Sequence, residues 1–141
     1  MICVKTHRVL ISLLEHAYHP TLVELVVWFL ARYSDTCITS GSREGDKGVH
    51  GTLPCRAMDM RSRMLENAQA VADDINANWA YDPDRPEKLC CVYHAVCPKC
   101  KESNLAPRVA ACRRCGADIT NHWHLHLQVH FNTNLRKGER Q

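Results

Sequence analysis

The segment His122-Trp123-His124-Leu125-His126-Leu127-Gln128-Val129-His130-Phe131 alternates polar and apolar residues without a break. That period of two belongs to a β-strand, in which successive side chains point to opposite faces of a sheet. Trp123, Leu125, Leu127, Val129 and Phe131 are then predicted to face a core, and His122, His124, His126, Gln128 and His130 to share the other face. A row of imidazoles is costly to bury without partners and has no use on a plain solvent face. A metal or an acid/base site is therefore the economical reading, with a polar solvent-facing strand as the alternative.

The rest of the chain supplies helices and strands to pack against that face. Val9, Leu10, Leu13, Leu14 and Ala17 recur at helical spacing over residues 6–17, and Pro20 breaks the pattern. Thr21 is the expected N-cap of a second helix carrying Leu22, Leu25, Val26, Phe29 and Leu30, a stretch whose valines would also suit a buried strand. Cys37-Ile38-Thr39-Ser40 reads as a short strand, Gly41 to Gly51 as a polar loop, and Leu53 to Met60 as extended chain with Pro54 at a bulge or edge. Ser62 is the expected cap of a central helix with the stripe Leu65, Ala68, Val71, Ala72 and Ile75, and with Asp73 and Asp74 toward solvent. Leu89 to Val96 is a further strand, and the polar tail Asn132 to Gln141 is expected to fray. The class is α+β: a small antiparallel sheet with N-terminal helices and one central helix. At 141 residues, 45% of them hydrophobic, the chain suffices for one such domain, residues 1–141, and one small insert.

That insert spans residues 97–120. Cys97-Pro-Lys-Cys100 and Cys112-Arg-Arg-Cys115 are two tight turns, each able to bring a pair of thiolates to one ion, and Gly116 suits the backbone of the second. Four thiolates close a tetrahedral zinc ion, so this site is expected to be structural and to stabilise an insert with too few apolar side chains to fold alone. Two disulfides are the alternative. The other five cysteines, Cys3, Cys37, Cys55, Cys90 and Cys91, lie among apolar neighbours and are expected to be buried free thiols.

A formal net charge of +3 is too small to argue for nucleic acid. Lys99, Lys101, Arg108, Arg113 and Arg114 nonetheless cluster on the insert and keep a nucleic-acid-binding ribbon open as a reading. No stretch approaches the about 20 apolar residues that span a bilayer, and no cleavage site follows the N-terminal Val9 to Leu14 run. Neither a membrane span nor a signal peptide is expected, which implies cytoplasmic synthesis.

A catalytic zinc ion takes three protein ligands and one open position. His50 and Asp59, on one loop-to-strand segment, can supply what the histidine strand lacks. Taken in order, Ser40-Gly41-Ser42-Arg43, His50, Arg56-Ala57-Met58-Asp59 and His124-Leu125-His126 resemble the motifs of the zinc D-alanyl-D-alanine carboxypeptidases and related peptidoglycan endopeptidases. The resemblance covers roughly residues 37–60 and 89–131. It implies the fold shared with the hedgehog signalling domain, with the four-cysteine ribbon inserted between the last two strands. It also implies His50, Asp59 and His126 as ligands of a catalytic zinc beside the structural one held by Cys97, Cys100, Cys112 and Cys115.

By the same resemblance His124 lies beside the attacking water, and Arg43 holds the substrate's carboxylate or peptide carbonyl, with Arg56 as a second candidate. The implied partner is a peptidoglycan peptide acted on by a monomer. Small members occur in bacteriophages, where a virion or lysis component would reach the wall without a signal peptide. Two features depart from the family pattern. The His50–Asp59 spacing is two residues longer than the usual His-x-x-Gly-x-Ala-x-Asp, and Trp123 stands where many members carry a catalytic acid, leaving His124 as the substitute base. A non-catalytic zinc-binding module of the same fold is the competing reading.

Overall fold

The computed structural model describes residues 3–34, 36–43 and 45–136 and is α+β. Strands β1 (Cys3–Val4), β2 (Cys37–Ser40), β3 (Ala57–Arg61), β5 (Cys91–Val96), β6 (Ser103–Leu105) and β7 (Trp123–Gln128) form one sheet in the order β1-β2-β3-β7-β5-β6. Only the β1–β2 pairing is parallel. Strands β4 (Trp79–Ala80) and β8 (Asn134–Leu135) pair separately, so the start of the tail expected to fray is held in a ladder. Residues 137–141 of that tail lie outside the described residues.

Helix α1 (His7–Glu15) follows the predicted spacing, and Thr6 caps it by accepting from the Val9 amide. Helix α2 (Pro20–Arg32) starts earlier than expected. His19, not Thr21, is the cap, its Nδ1 accepting from the Thr21 amide, and Pro20 takes the first position, where its missing N–H costs nothing. Helix α3 (Ala68–Asn78) is capped by Asn67 rather than Ser62. The Ser62 hydroxyl instead donates to the Trp123 carbonyl, which ties the end of β3 to β7.

The core lies between α2, α3 and one face of the sheet. Leu22, Leu25 and Phe29 of α2 and Ile75 of α3 are fully buried against Met60, Leu125 and Leu127. Burying each such side chain contributes about 1.5–3 kcal/mol. Because β3 and β7 put Met58, Met60, Leu125 and Leu127 on this face, pleating puts Asp59, Arg61, His124 and His126 on the other. The predicted alternation holds from Trp123 to Val129 and then fails: Phe131 is 72% exposed. The His130 amide donates to the Thr133 hydroxyl in a turn just past β7, so Phe131 leaves the core face. No helix among the described residues is long and apolar enough to cross a membrane.

Two of the five cysteines expected as free thiols are not free. Cys3 lies opposite Cys37 in the parallel β1–β2 pairing, and a disulfide joins them. Cys55, Cys90 and Cys91 are buried free thiols. Burial pushes the Cys90 thiol up to about 12 and raises Cys55 and Cys91 as well, so all three are poor nucleophiles.

Candidate metal centres

The two Cys-x-x-Cys turns are near copies of each other. In the first, the Cys97 amide donates to the Glu102 carbonyl and the Lys101 amide to the Cys97 carbonyl, both at 2.9 Å. In the second, the Cys112 amide donates to the Ala117 carbonyl and the Gly116 amide to the Cys112 carbonyl, both at 2.8 Å. Each loop closes through one residue in the left-handed region, Lys101 at φ 66° and Gly116 at φ 78°. Glycine takes that conformation without strain, whereas lysine does not.

The turns face one another and bring four sulfurs together, with Cys97–Cys115 at 3.5 Å and Cys100–Cys112 at 3.6 Å. A tetrahedron of zinc–sulfur bonds of about 2.3 Å has edges of about 3.8 Å, whereas a disulfide is about 2.05 Å long. The four cysteines could thus hold a metal ion such as zinc. The Asn104 side-chain amide lies 3.4 Å from the Cys112 sulfur and, with backbone donors, holds that thiol down to about 6. A hydrogen bond from the Cys100 amide, 3.5 Å away, likewise lowers Cys97. Ligand thiols must ionise, and these contacts favour the ionised form at Cys112 and Cys97. At Cys100 a backbone hydrogen bond from Glu102 is outweighed by burial and the neighbouring sulfurs, which push the thiol up to about 12, a proton that a bound ion would have to displace. Ala95, Ile119 and Trp123 make a small second core beneath the cluster.

The second centre is assembled from distant parts of the chain. The loop after β2 folds back on itself: the Arg43 amide donates to the His50 carbonyl at 2.8 Å, and the Asp46 side chain accepts from the Gly48 amide at 2.7 Å. A Cβ on Gly51 would overlap the Asp46 carbonyl, so the 3-10 turn Val49–Gly51 that presents His50 requires glycine there. Between His50 and Asp59 the chain turns at Thr52–Arg56, where the Thr52 hydroxyl donates to the Val49 carbonyl and accepts from the Arg56 amide. Asp59 and His126 are direct cross-strand partners.

These placements bring His50, Asp59 and His126 together. Asp59 Oδ1 lies 3.2 Å from His50 Nε2 and 2.9 Å from His126 Nδ1, and those nitrogens are 3.3 Å apart. A tetrahedral ion with bonds of about 2.0–2.1 Å has ligand–ligand edges of about 3.3 Å. The outer nitrogens both face acceptors. His50 Nδ1 is 2.7 Å from the Gly41 carbonyl, and His126 Nε2 is 3.1 Å from Gln128 Oε1. Gln128 donates its own amide to the Leu89 carbonyl at 2.8 Å, which fixes Oε1 toward the ring. In the neutral tautomer that these contacts favour, both imidazoles carry N–H on the outside and turn an acceptor nitrogen inward onto a carboxylate. Three acceptors meeting in one place call for a cation between them, and carbonyl-oriented imidazoles are the usual support of a metal site.

Asp59 and His50 are each 5% exposed. When protons rather than a cation fill the cluster, burial pushes the Asp59 carboxyl up, but hydrogen bonds from the His126 and His50 rings and the charge of a protonated imidazole outweigh it and hold the group well below the usual carboxylate range. Its other oxygen accepts from the Arg43 guanidinium at 2.9 Å. Arg43 also reaches Ser40 at 3.1 Å and Asp46 at 3.5 Å, so it orients the carboxylate while lining the cleft. Arg56 lies elsewhere, over the Phe131 ring. His124 adds a third inward nitrogen: its Nδ1 is 2.9 Å from the His122 carbonyl, and its Nε2 is 3.7 Å from Asp59 Oδ1. His122 is exposed at the cleft's edge, and His130 lies apart, 3.8 Å from Asp82.

One histidine joins the cluster unannounced. His94, opposite His124 on β5, packs its ring 4.8 Å from that of His124 and 5.8 Å from that of His126. Burial, reinforced by the two imidazoles, pushes it down to about 4, so it is neutral near pH 7. Its Nδ1 contacts the Ser103 hydroxyl of β6 at 2.7 Å, which links the ribbon to the cluster. Alternation within Cys91–Val96 puts His94 on one face with Val92 and Val96, but only the β5–β7 register brings it beside His124. The centre opens into a cleft of about 650 Å³. No family model, curated protein or solved structure matches the chain.

Proposed function

We propose that the chain is a zinc-dependent peptidase acting on D-alanine-containing peptide bonds of peptidoglycan, on the scaffold of the D-alanyl-D-alanine peptidases. One observation carries the reading: two imidazoles and a carboxylate turn acceptor atoms onto one point at ligand spacing, beside an open cleft. The order of the motifs Ser40 to Arg43, His50, Asp59 and His124 to His126 supports the choice of family. An ion held by His50, Asp59 and His126 would supply Lewis acidity, polarising a peptide carbonyl and bringing the pKa of a water toward about 7.

The chain's own residues would do the rest. Gly41 and Gln128 hold the two ring orientations, and Arg43 holds the carboxylate. In the neutral tautomer with Nδ1 donating to the His122 carbonyl, His124 Nε2 is the group placed to take a proton from water and return it to the leaving amine. Arg43 also has N–H groups left to fix a substrate carboxylate or carbonyl. Trp123 is buried in the small core under the ribbon with its indole donating to the Val109 carbonyl, so position 123 supplies no acid. In this reading His124 works without a carboxylate partner other than Asp59.

That same observation favours the second reading, a zinc-binding module without turnover, because among the described residues Asp59 is the only acid lining the cleft. The zinc-loaded chain incubated with purified peptidoglycan decides between them. Release of new amino or D-alanine termini by the wild type, abolished in His50→Ala, is expected. Turnover undiminished in His50→Ala would reject the site, and zinc binding with no turnover would select the module.

A further inference from the structure

Among the described residues the cleft is lined by five Lys and Arg side chains, Lys5, Arg43, Arg61, Arg63 and Arg108, against one acid, Asp59. Arg43 is committed to Asp59 and Asp46, but no ion pair among the described residues involves the other four. They come from three separate parts of the chain. Lys5 follows β1, Arg61 ends β3 directly across from His124 with Arg63 just beyond, and Arg108 belongs to the four-cysteine ribbon. Like charges converging on one concavity raise the local positive potential even where solvent screens them, and that potential favours the entry of an anion.

Arg108 is held in place rather than loose. One guanidinium nitrogen donates to the Thr120 carbonyl at 2.9 Å, and the carbonyl of the next residue, Val109, accepts from the Trp123 indole at 2.9 Å. The tryptophan standing at the family's acidic position thus fastens the ribbon to the histidine strand. The remaining N–H groups of Arg108 are free, and the side chain is exposed.

We propose that the ribbon is the second wall of the substrate cleft, and that Arg108 with Arg61 and Arg63 selects a short peptide carrying at least two carboxylates. The peptide nature of the ligand rests on the peptidase reading above. Its charge does not. A nucleic-acid strand fits less well: the chain's net charge is only +3, and the one Trp in the cleft is buried with its indole already engaged, leaving no exposed tryptophan on which bases could stack. A volume of about 650 Å³ suits a few residues of peptide.

The test uses the full zinc-loaded chain and one D-alanine-terminated pentapeptide made in three forms, with two free carboxylates, with one amidated, and with both amidated. Binding is read by calorimetry and cleavage by chromatography. For the wild type each amidation should weaken binding about tenfold, the scale of one charge-assisted contact. Arg108→Gln should shrink the first step to under about threefold while Arg108→Lys keeps most of it, a rescue that a merely structural role would not give. Equal binding of the three peptides overturns the proposal, as does tighter binding of a single-stranded oligonucleotide of matched charge. Preferred binding of the diacid without cleavage would remove the peptidase reading and leave this one standing. Cleavage of all three at equal efficiency would do the reverse.

Discussion

The two candidate metal centres differ in how much of the chain each needs. The four cysteines sit on two adjacent turns that resemble each other bond for bond, and the site closes on itself with no position left open. The histidine centre draws one ligand from a 3-10 turn, one from β3 and one from β7, with His50 and His126 separated by 76 positions. A metal bound at the first would help fold a segment that has little core of its own, whereas one bound at the second would sit on a scaffold the hydrophobic core already holds and, in the proposed reading, would serve chemistry. The ribbon should therefore depend on its metal for structure, and the sheet should not.

The largest expected effect breaks the second centre alone. Asp59→Asn or His126→Ala should cut peptidoglycan cleavage by at least about a thousandfold, as loss of a transition-state interaction does. The fold and the four-cysteine metal should survive, which far-ultraviolet circular dichroism and the cobalt-substituted thiolate spectrum would report. Loss of both together would mean that the two regions are not separable.

A smaller effect sharpens the role of the outer contacts. Gln128→Ala removes the acceptor that holds the His126 ring and should weaken metal binding at that centre by about 10–100-fold, with no change at the cysteines. Competition against a chromogenic chelator measures it, and unchanged affinity would contradict the assigned ring orientation. Smaller still, the repeated turn predicts an asymmetry. Lys101→Gly should stabilise the zinc-loaded chain by up to about 1 kcal/mol and Gly116→Val destabilise it by about 1–2 kcal/mol, because only glycine is relaxed at positive φ. Thermal unfolding reads both, and equal shifts of one sign would contradict the geometry.

How much of this was legible in the chain follows the same division. The Cys-x-x-Cys turns are local, so their spacing alone specified four converging sulfurs. Alternation in Trp123 to Val129 reported the faces of β7, yet it ran on to Phe131 because a turn initiated by Thr133 leaves no mark on the pattern. Ser62 looked like a helix cap, and its hydroxyl went to a strand carbonyl brought near only by folding. His94 escaped notice because its neighbours depend on strand register, and the Cys3–Cys37 bridge because it needs a parallel pairing between short segments. Local chemistry can be read in order along the chain, whereas long-range partners emerge only once the sheet order is known.

The central claim is that two separate clusters each hold one ion, and zinc content per folded chain tests it most directly. Two ions in the wild type, one in His126→Ala and one in Cys97→Ala are predicted. A single ion in the wild type, or an undiminished count in His126→Ala, would contradict it.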